Sequence, residues 1–401
     1  MTGKKLAVAQ SGGPSAVINS TLAGIIEESY KDNGIGTVIG LENGLEGLFE
    51  GRAVDLSNLS QRQISQLRET PGAILGSVRT ELTGPDIERA VEILVDLDVG
   101  YFLYIGGNGT MYATHLIYEA AWKRGVELLV AGVPKTVDND IVDISHTPGY
   151  ASAAKYVARA VKDLALDLEA MKGFEQVRVV ETMGRNVGWL AAASGLARKD
   201  DSQAPHLIYL PEHAFDESNF LTRIQYVVAR YGYAVAVVGE GITDEKGDAI
   251  GHPAFEEKIG KSQTYGGVAD YLSEQITAKL GLRSRAQNLG MAQRSFAAYR
   301  SEVDEVEAFN IGKAAVKSLL NGDNGCMTIV EEANGEALKL NPIPLIQVGG
   351  KEKKVPDHFY DNSRKQVTGE FINWLRPLVG EWQQDYLYLT ELPKYKVEEE
   401  Y

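Results

Sequence analysis

Residues 128–140 read Leu128-Leu129-Val130-Ala131-Gly132-Val133-Pro134-Lys135-Thr136-Val137-Asp138-Asn139-Asp140. The first six are apolar without alternation, the pattern of a strand covered on both faces. The residues that follow set a lysine, a hydroxyl and two carboxylates beside one another at that strand's carboxyl end. In open α/β sheets, ligands bind there. A turn rich in Asp and Asn is also ordinary surface chemistry; the place after a buried strand is what tells against that reading.

The same pattern recurs outward along the chain. Strand-like runs lie at Leu6–Ala9, Gly36–Gly40, Tyr101–Ile105, Val177–Glu181, Leu207–Leu210 and Ala234–Val238. Between them, helical patterns cover Ala16–Lys31, Asp86–Leu97, Thr110–Arg124, Ala151–Lys172, Val187–Arg198 and Glu217–Arg230. A βαβα order predicts an α/β fold, a parallel sheet with helices on both faces. The stretch His146-Thr147-Pro148-Gly149 reads as a hinge between two such units. Further on, Asp304–Leu320 reads as a helix, Gly322-Asp323-Asn324-Gly325 as a turn, Met327–Glu331 as a strand and Lys365–Val379 as a helix. A basic, polar stretch, Gly350–Val355, precedes that last helix, and Lys394–Tyr401 reads as a loosely held tail.

At 401 residues the chain predicts two domains, taking roughly 150 residues for each. Apolar residues make up 44% and charged residues 24%, as in soluble globular proteins. A formal net charge of −15 argues against general binding to nucleic acid or to anionic membranes. It leaves room for a small anionic ligand in a locally basic site. No run reaches the ~18 apolar residues of a membrane span, and the first apolar run is too short for a signal peptide. The single cysteine, Cys326, permits no intrachain disulfide and reads as a small buried hydrophobe. These features predict a cytoplasmic location.

Two glycine turns also follow strands and precede helices: Gln10-Ser11-Gly12-Gly13-Pro14-Ser15 and Ile105-Gly106-Gly107-Asn108-Gly109-Thr110. Glycines let the backbone approach phosphate oxygens, and a helix N-terminus offers free N–H groups. At neighbouring strand ends the two turns would point their amides into one crevice. Neither has the G-x-G-x-x-G spacing of a dinucleotide site, which disfavours an oxidoreductase. Thr110 is placed as a helix N-cap, and Asn108 suits a phosphate or a metal-bound water. Phosphoryl transfer needs a base for the alcohol, charge neutralisation and often Mg²⁺. Asp138 is the natural base, Asp140 supports a metal, Thr136 binds phosphate, and Lys135 places charge on the transferring group. Arg185, in Val180-Glu181-Thr182-Met183-Gly184-Arg185, suits a phosphate clamp, and Glu240 suits sugar hydroxyls. Arg283, Arg285 and Arg294 form an arginine-rich stretch of the kind that matches a phosphate monoester. Each of these last three signals is weak singly.

Taken in order and spacing, Ser11-Gly12-Gly13, Gly106-Gly107-Asn108-Gly109-Thr110, Pro134 to Asp140, Met183-Gly184-Arg185, Glu240 and Gln293-Arg294 resemble the phosphofructokinase A family. The resemblance spans residues 4–380 and is nearest the bacterial pyrophosphate-type branch. It implies two doubly wound, Rossmann-like α/β domains with the active site in the cleft between them. The donor-binding domain would comprise residues 1–149 plus about 292–345, the sugar-phosphate domain 150–291 plus about 346–401. It further implies Mg²⁺ and a homodimer or homotetramer. The implied reaction is phosphorylation of the 1-hydroxyl of fructose 6-phosphate.

By the same resemblance, Asp138, Lys135 and Arg185 are catalytic. Gly13, Arg79, Gly107, Asn108, Gly109 and Thr110 hold the donor. Thr136, Val137, Asp138, Met183, Gly184, Arg185, Glu240, Arg285, Met291 and Arg294 hold the sugar. Asn108 and Asp140 serve the metal. Pyrophosphate-using relatives usually carry an aspartate where Gly109 stands and a lysine at Lys135; some ATP-dependent relatives combine this same glycine with this same lysine, so the resemblance puts ATP first as donor, with pyrophosphate close behind. Gln176 and Met291 replace residues that usually meet the 6-phosphate. Arg178, two positions on, is the expected substitute; failing that, the acceptor is a related anionic ketose such as 6-deoxy-6-sulfofructose. A non-catalytic sugar-phosphate-binding paralogue is the reading outside enzymes, and it has no need of Asp138.

Overall fold

The computed structural model describes residues 3–78, 82–251, 266–333, 336–381 and 386–393. Among the described residues, eleven strands form the two main sheets, and a two-stranded ribbon, Tyr360–Asp361 with Gln366–Val367, stands apart. The larger takes β1 (Lys4–Gln10), β2 (Ile35–Leu41), β3 (Ala53–Asp55), β4 (Val99–Gly106), β5 (Leu129–Pro134), β10 (Cys326–Ala333) and β11 (Glu336–Pro344), in the order β11-β10-β5-β4-β1-β2-β3. The smaller takes β6 (Val177–Thr182), β7 (Leu207–Tyr209), β8 (Ala234–Gly239) and β9 (Ser284–Asn288), in the order β7-β8-β6-β9. All pairings in the smaller sheet are parallel. The larger is parallel at its centre but carries antiparallel edges, β3 on β2 and β11 on β10. The α/β class is as the sequence predicts; the antiparallel edges were not foreseen.

Strands β6 and β8 are buried throughout and β1, β4 and β5 along most of their length, in keeping with their continuous apolar runs. One face of the larger sheet packs Leu6, Val8, Leu103, Ile105, Ala131 and Val133 against the helices Ile18–Ser29 and Glu302–Leu320. Its other face packs Ala7, Ala9, Phe102 and Val130 against Gly84–Asp96 and Asn108–Lys123. The smaller sheet is sandwiched likewise, with the helix Tyr150–Met171 on one face and Glu217–Tyr231 and Val268–Leu280 on the other. Cys326 is buried, as expected. Among the described residues no helix is long and apolar enough to cross a membrane.

Register sets the site. Gln10 lies opposite Ile105, and Ile105 opposite Val133, so β1, β4 and β5 end at one level. In the smaller sheet Glu181 lies opposite Val238 and Asn288, so β6, β8 and β9 also end together.

The connection at His146–Gly149 is not a free hinge. Thr136 N–H donates to Pro148 O (3.2 Å) and Thr147 Oγ1 donates to Thr136 O (2.8 Å). Fully buried Asp304 accepts from Gly149 N (2.8 Å), Ser152 N (2.9 Å) and Ser152 Oγ (2.5 Å). It thus supplies, from another helix, the cap that the helix after Gly149 lacks in its own sequence. Burial pushes the Asp304 carboxyl up to about 6, against these hydrogen bonds.

The predicted helix Val187–Arg198 is a short helix, Trp189–Ala193, followed by a 3₁₀ turn, Ser194–Ala197. The tail Lys394–Tyr401 lies outside the described residues.

Candidate active site

Three loops leave the larger sheet side by side. In the first, Gly12 takes φ +74°, a left-handed backbone that glycine adopts without strain. A β-carbon there would sit 3.5 Å from Lys135 Nζ and 3.7 Å from Gly107 N. The two glycine turns and the lysine therefore meet, as the sequence predicts. Lys135 is buried, and its ammonium donates to Ser11 O (3.0 Å) and to Gly13 O. Its charge is thereby built into the first turn.

In the second loop the helix begins at Asn108 and its N-cap is Gly107. Thr110 is therefore not the cap: the glycines let the helix start earlier, and Thr110 packs where a β-carbon of Gly106 would be. Among the described residues, nothing lies within 4 Å of the place a β-carbon on Gly109 would take. The Asn108 side chain is engaged from the opposite direction. Its Oδ1 accepts from Gly350 N (2.7 Å) and its Nδ2 donates to Lys351 O.

In the third loop Asn139 takes φ +55°, strain that is tolerated where neighbours enforce it. Its Oδ1 accepts from Thr147 N (3.1 Å) and Lys353 Nζ (3.0 Å). Asp138 N–H donates to Thr136 Oγ1 (3.1 Å), and Val137 is buried. Asp140 is half-buried, and its shielded Oδ1 has no hydrogen-bond partner among the described residues. Burial, then the charges of Asp138 and Glu352, push its carboxyl up to about 7, with Arg185 opposing.

The smaller sheet faces these loops with its own strand ends. Gly184 (φ +138°) admits no side chain, since a β-carbon would meet Val187 O. Arg185 follows at φ +50°. The backbone N–H groups of Gly184 and Arg185 both donate to Glu240 Oε1, at 3.2 and 3.0 Å. Burial raises the Glu240 carboxyl, and the nearby charge of Asp138 adds to this. Asp138 is thus felt by Asp140 on its own loop and by Glu240 across the cleft. Met183 N–H donates to Gln293 Oε1 (3.0 Å), and buried Gln293 donates in turn to Gly290 O (3.0 Å). Met291 and Arg294 lie just beyond the end of β9 in and before the turn Ala292–Ser295.

Arg285 is not brought to this end. It sits opposite Arg178 in β9, about 10 Å along the strand from its carboxyl end. Its Nε is 2.6 Å from Glu175 Oε2. Nor does Arg178 stand open beside Gln176: its guanidinium pairs with Asp167 (2.7 Å) and Glu175 (2.8 Å). Gln176 accepts from Arg283 N (3.1 Å). Arg79 lies outside the described residues.

As for a metal, no three His, Cys, Asp or Glu side chains are grouped to hold one among the described residues. Mg²⁺ does not require such a cage; it binds one or two carboxylates and takes the rest of its ligands from phosphates and water. The unpartnered Asp140 Oδ1, with Asp138 beside it, fits that habit.

The arrangement is one in which glycine turns and a buried ammonium face two carboxylates and a carboxylate-braced arginine loop. It can hold an anionic donor against a hydroxylated acceptor. Comparison with known proteins agrees: residues 5–319 match the family model described as "Phosphofructokinase", and the chain belongs to that family, phosphotransferases with an alcohol group as acceptor. Among curated relatives, it is 36% identical to a pyrophosphate–fructose 6-phosphate 1-phosphotransferase of Rhodospirillum rubrum, over 95% of either chain. It is also 36% identical to a sulfofructose kinase of Alkalicoccus urumqiensis, over 94% of this chain and 95% of the relative. Among solved structures, a pyrophosphate-dependent phosphofructokinase from Marinobacter aquaeolei superposes with a TM-score of 0.84 at 32% identity, covering 97% of this chain and 95% of the other.

Proposed function

We propose that the chain transfers a phosphoryl group, with Mg²⁺, from pyrophosphate to the 1-hydroxyl of fructose 6-phosphate. The observation that carries this is the meeting of Gly12, Gly107 and the Lys135 ammonium, on whose own loop Asp138 follows three residues later. In this reading the larger sheet with its helices is the donor-binding domain and the smaller the sugar-binding domain. Gly13, Gly107–Thr110 and Arg79 hold the donor. The backbone at Met183 and Gly184, together with Thr136, Val137, Glu240, Met291 and Arg294, holds the sugar.

Asp138 takes the proton of the 1-hydroxyl as that oxygen bonds to the terminal phosphorus. The bridging P–O bond breaks and orthophosphate leaves. Lys135 and Arg185 stabilise charge on the group in transit. Mg²⁺, held by Asp140 with donor oxygens, would neutralise the phosphoryl oxygens. Asn108 is given the lesser part of orienting its neighbours, because its amide is already engaged with residues 350–351.

The sequence placed ATP first, on Gly109. The relatives named for pyrophosphate, together with the Lys135 ammonium reaching the first turn, favour pyrophosphate instead. ATP is the second reading, favoured by the open space beside Gly109. Steady-state rates with each donor, crossed with fructose 6-phosphate and 6-deoxy-6-sulfofructose, separate these readings. Pyrophosphate with fructose 6-phosphate is expected to give the highest kcat/KM. Gly109→Asp, which fills the open space with a carboxylate, is expected to depress ATP use more than pyrophosphate use. Faster turnover with ATP would reverse the order of donors, and a preference for the sulfonate would change the acceptor.

We assign Arg285 to the sugar's anionic end across an interface between copies of the chain, since within one chain it stands apart from Arg294. A homodimer or homotetramer follows, and a solution mass equal to the 43.7 kDa of one chain would contradict it.

A further inference from the structure

The segment Gly350–Val355, which carries none of the site residues assigned above, touches the loop of Asn108, the loop of Asp138 and Asp140, and the stretch just after Arg185. Gly350 and Lys351 hold the Asn108 amide at the donor turn. Glu352 forms a β-bridge with Ile141, and its Oε1 accepts from Asn186 Nδ2 (3.0 Å), next to Arg185. Val355 N–H donates to Glu212 Oε1 (2.9 Å), which also accepts from Gly188 N (2.9 Å).

Lys353 lies at the centre of this strap. Its Nζ donates to Asn139 Oδ1 (3.0 Å), Ile144 O (3.0 Å) and Ser145 O (2.9 Å), three acceptors on the loop that carries Asp138 and Asp140. An ammonium has three N–H donors, and here three neutral oxygens meet them. Its backbone N–H donates to Asp140 O (2.8 Å), so the loop is gripped at Asn139, at Asp140 and again at Ile144 and Ser145. Its carbonyl accepts from Trp189 Nε1 (2.8 Å), and its Nζ lies 5.0 Å from the Trp189 ring centroid. Trp189 begins the short helix that follows Arg185. Burying a lysine among neutral oxygens is costly; burial here pulls its pKa down to about 7, although the charge of Asp140 opposes this. A surface lysine would incur no such cost. What the half-buried one secures is the left-handed turn at Asn139, which stands between the two aspartates.

We infer that Lys353 is a positioning residue for the phosphoryl transfer: it fixes the Asp138–Asp140 turn against the loop of Arg185, so that the base and the sugar-binding backbone come from two sheets into one geometry. The inference rests on the reading of Asp138 as base. A misplacement of about 1 Å in such a site costs on the order of 10² in rate. Lys353→Met is therefore expected to lower kcat about 10²-fold while the KM for the sugar stays within about threefold, because the groups of Met183, Glu240 and Arg294 are untouched.

The test is steady-state kinetics on Lys353→Met and Asp138→Asn together, at equal folded concentration. A kcat for Lys353→Met near wild type beside an inactive Asp138→Asn overturns the positioning role alone. An active Asp138→Asn overturns the reading of the base on which it depends. A rise in sugar KM at unchanged kcat would make Lys353 a binding residue and also overturn the inference. Should Lys353→Met not fold, Lys353→Arg serves. It keeps the charge but displaces the donors, and a kcat reduced about tenfold at unchanged KM is expected; wild-type kcat there overturns the inference equally.

Discussion

Asp138→Asn is expected to bind sugar phosphate as the native chain does and to turn over on the order of 10²-fold or more slowly, the scale of losing a general base. Asparagine keeps the size of the side chain but cannot take the proton of the 1-hydroxyl. Binding is expected to survive because Glu240 is braced by the N–H groups of Gly184 and Arg185, and Met183 by Gln293, none of which depends on Asp138. Removing one of two neighbouring negative charges should also let Asp140 ionise more readily, since Asp138 helps to raise it. Calorimetric titration with fructose 6-phosphate beside steady-state kinetics checks both halves. Native turnover in the variant would take Asp138 out of its role.

Lys135→Met is expected to cost about 10²–10³ in kcat/KM for the donor, the scale of removing one preorganised charged donor from a transition-state site. The ammonium lies on the carbonyls of Ser11 and Gly13, and those two residues flank the glycine whose backbone approaches Gly107. Methionine fills the volume without the charge. It also leaves the two carbonyls without that donor, a loss of about 1–3 kcal/mol for each buried acceptor left unsatisfied. Thermal melts must therefore accompany the kinetics. A variant that is less stable yet shows native donor kinetics would make Lys135 a brace for the turn rather than a catalytic charge.

How much of this was legible beforehand follows from where the residues lie. Parallel strands buried on both faces leave unbroken apolar runs, so β1, β4, β5, β6 and β8 could be read to within two residues at each end. The turns after them were legible because glycine and chemistry-bearing residues crowd into a few positions. Strand β9, Ser284–Asn288, was not: it is polar, partly exposed and only five residues long, and its arginine was read as part of a ligand cluster. In space that arginine faces Glu175, three positions below the strand end where Arg294 follows. Thr110 was misplaced as a cap because its hydroxyl can accept from helix N–H groups, whereas the helix already begins at Asn108 behind a Gly107 cap. Lys353 was illegible for a different reason. In a basic, polar stretch a lysine reads as solvated, and nothing local announces that its partners are more than 200 residues away. Gln293 was quoted for its place in a motif, and only the structure gives its task, holding the Met183 backbone. The site's reactive groups are written locally; the struts that aim them are written at long range.

The central claim is that the loops of the two sheets meet to move a phosphoryl group onto the 1-hydroxyl of a ketose phosphate. Phosphorus NMR of the purified chain with Mg²⁺, pyrophosphate and fructose 6-phosphate tests it most directly. Loss of the pyrophosphate resonance, with equal growth of orthophosphate and of a new phosphomonoester signal coupled to the C1 protons, is the expected result. An unchanged spectrum with pyrophosphate, and again with ATP in its place, would contradict the claim.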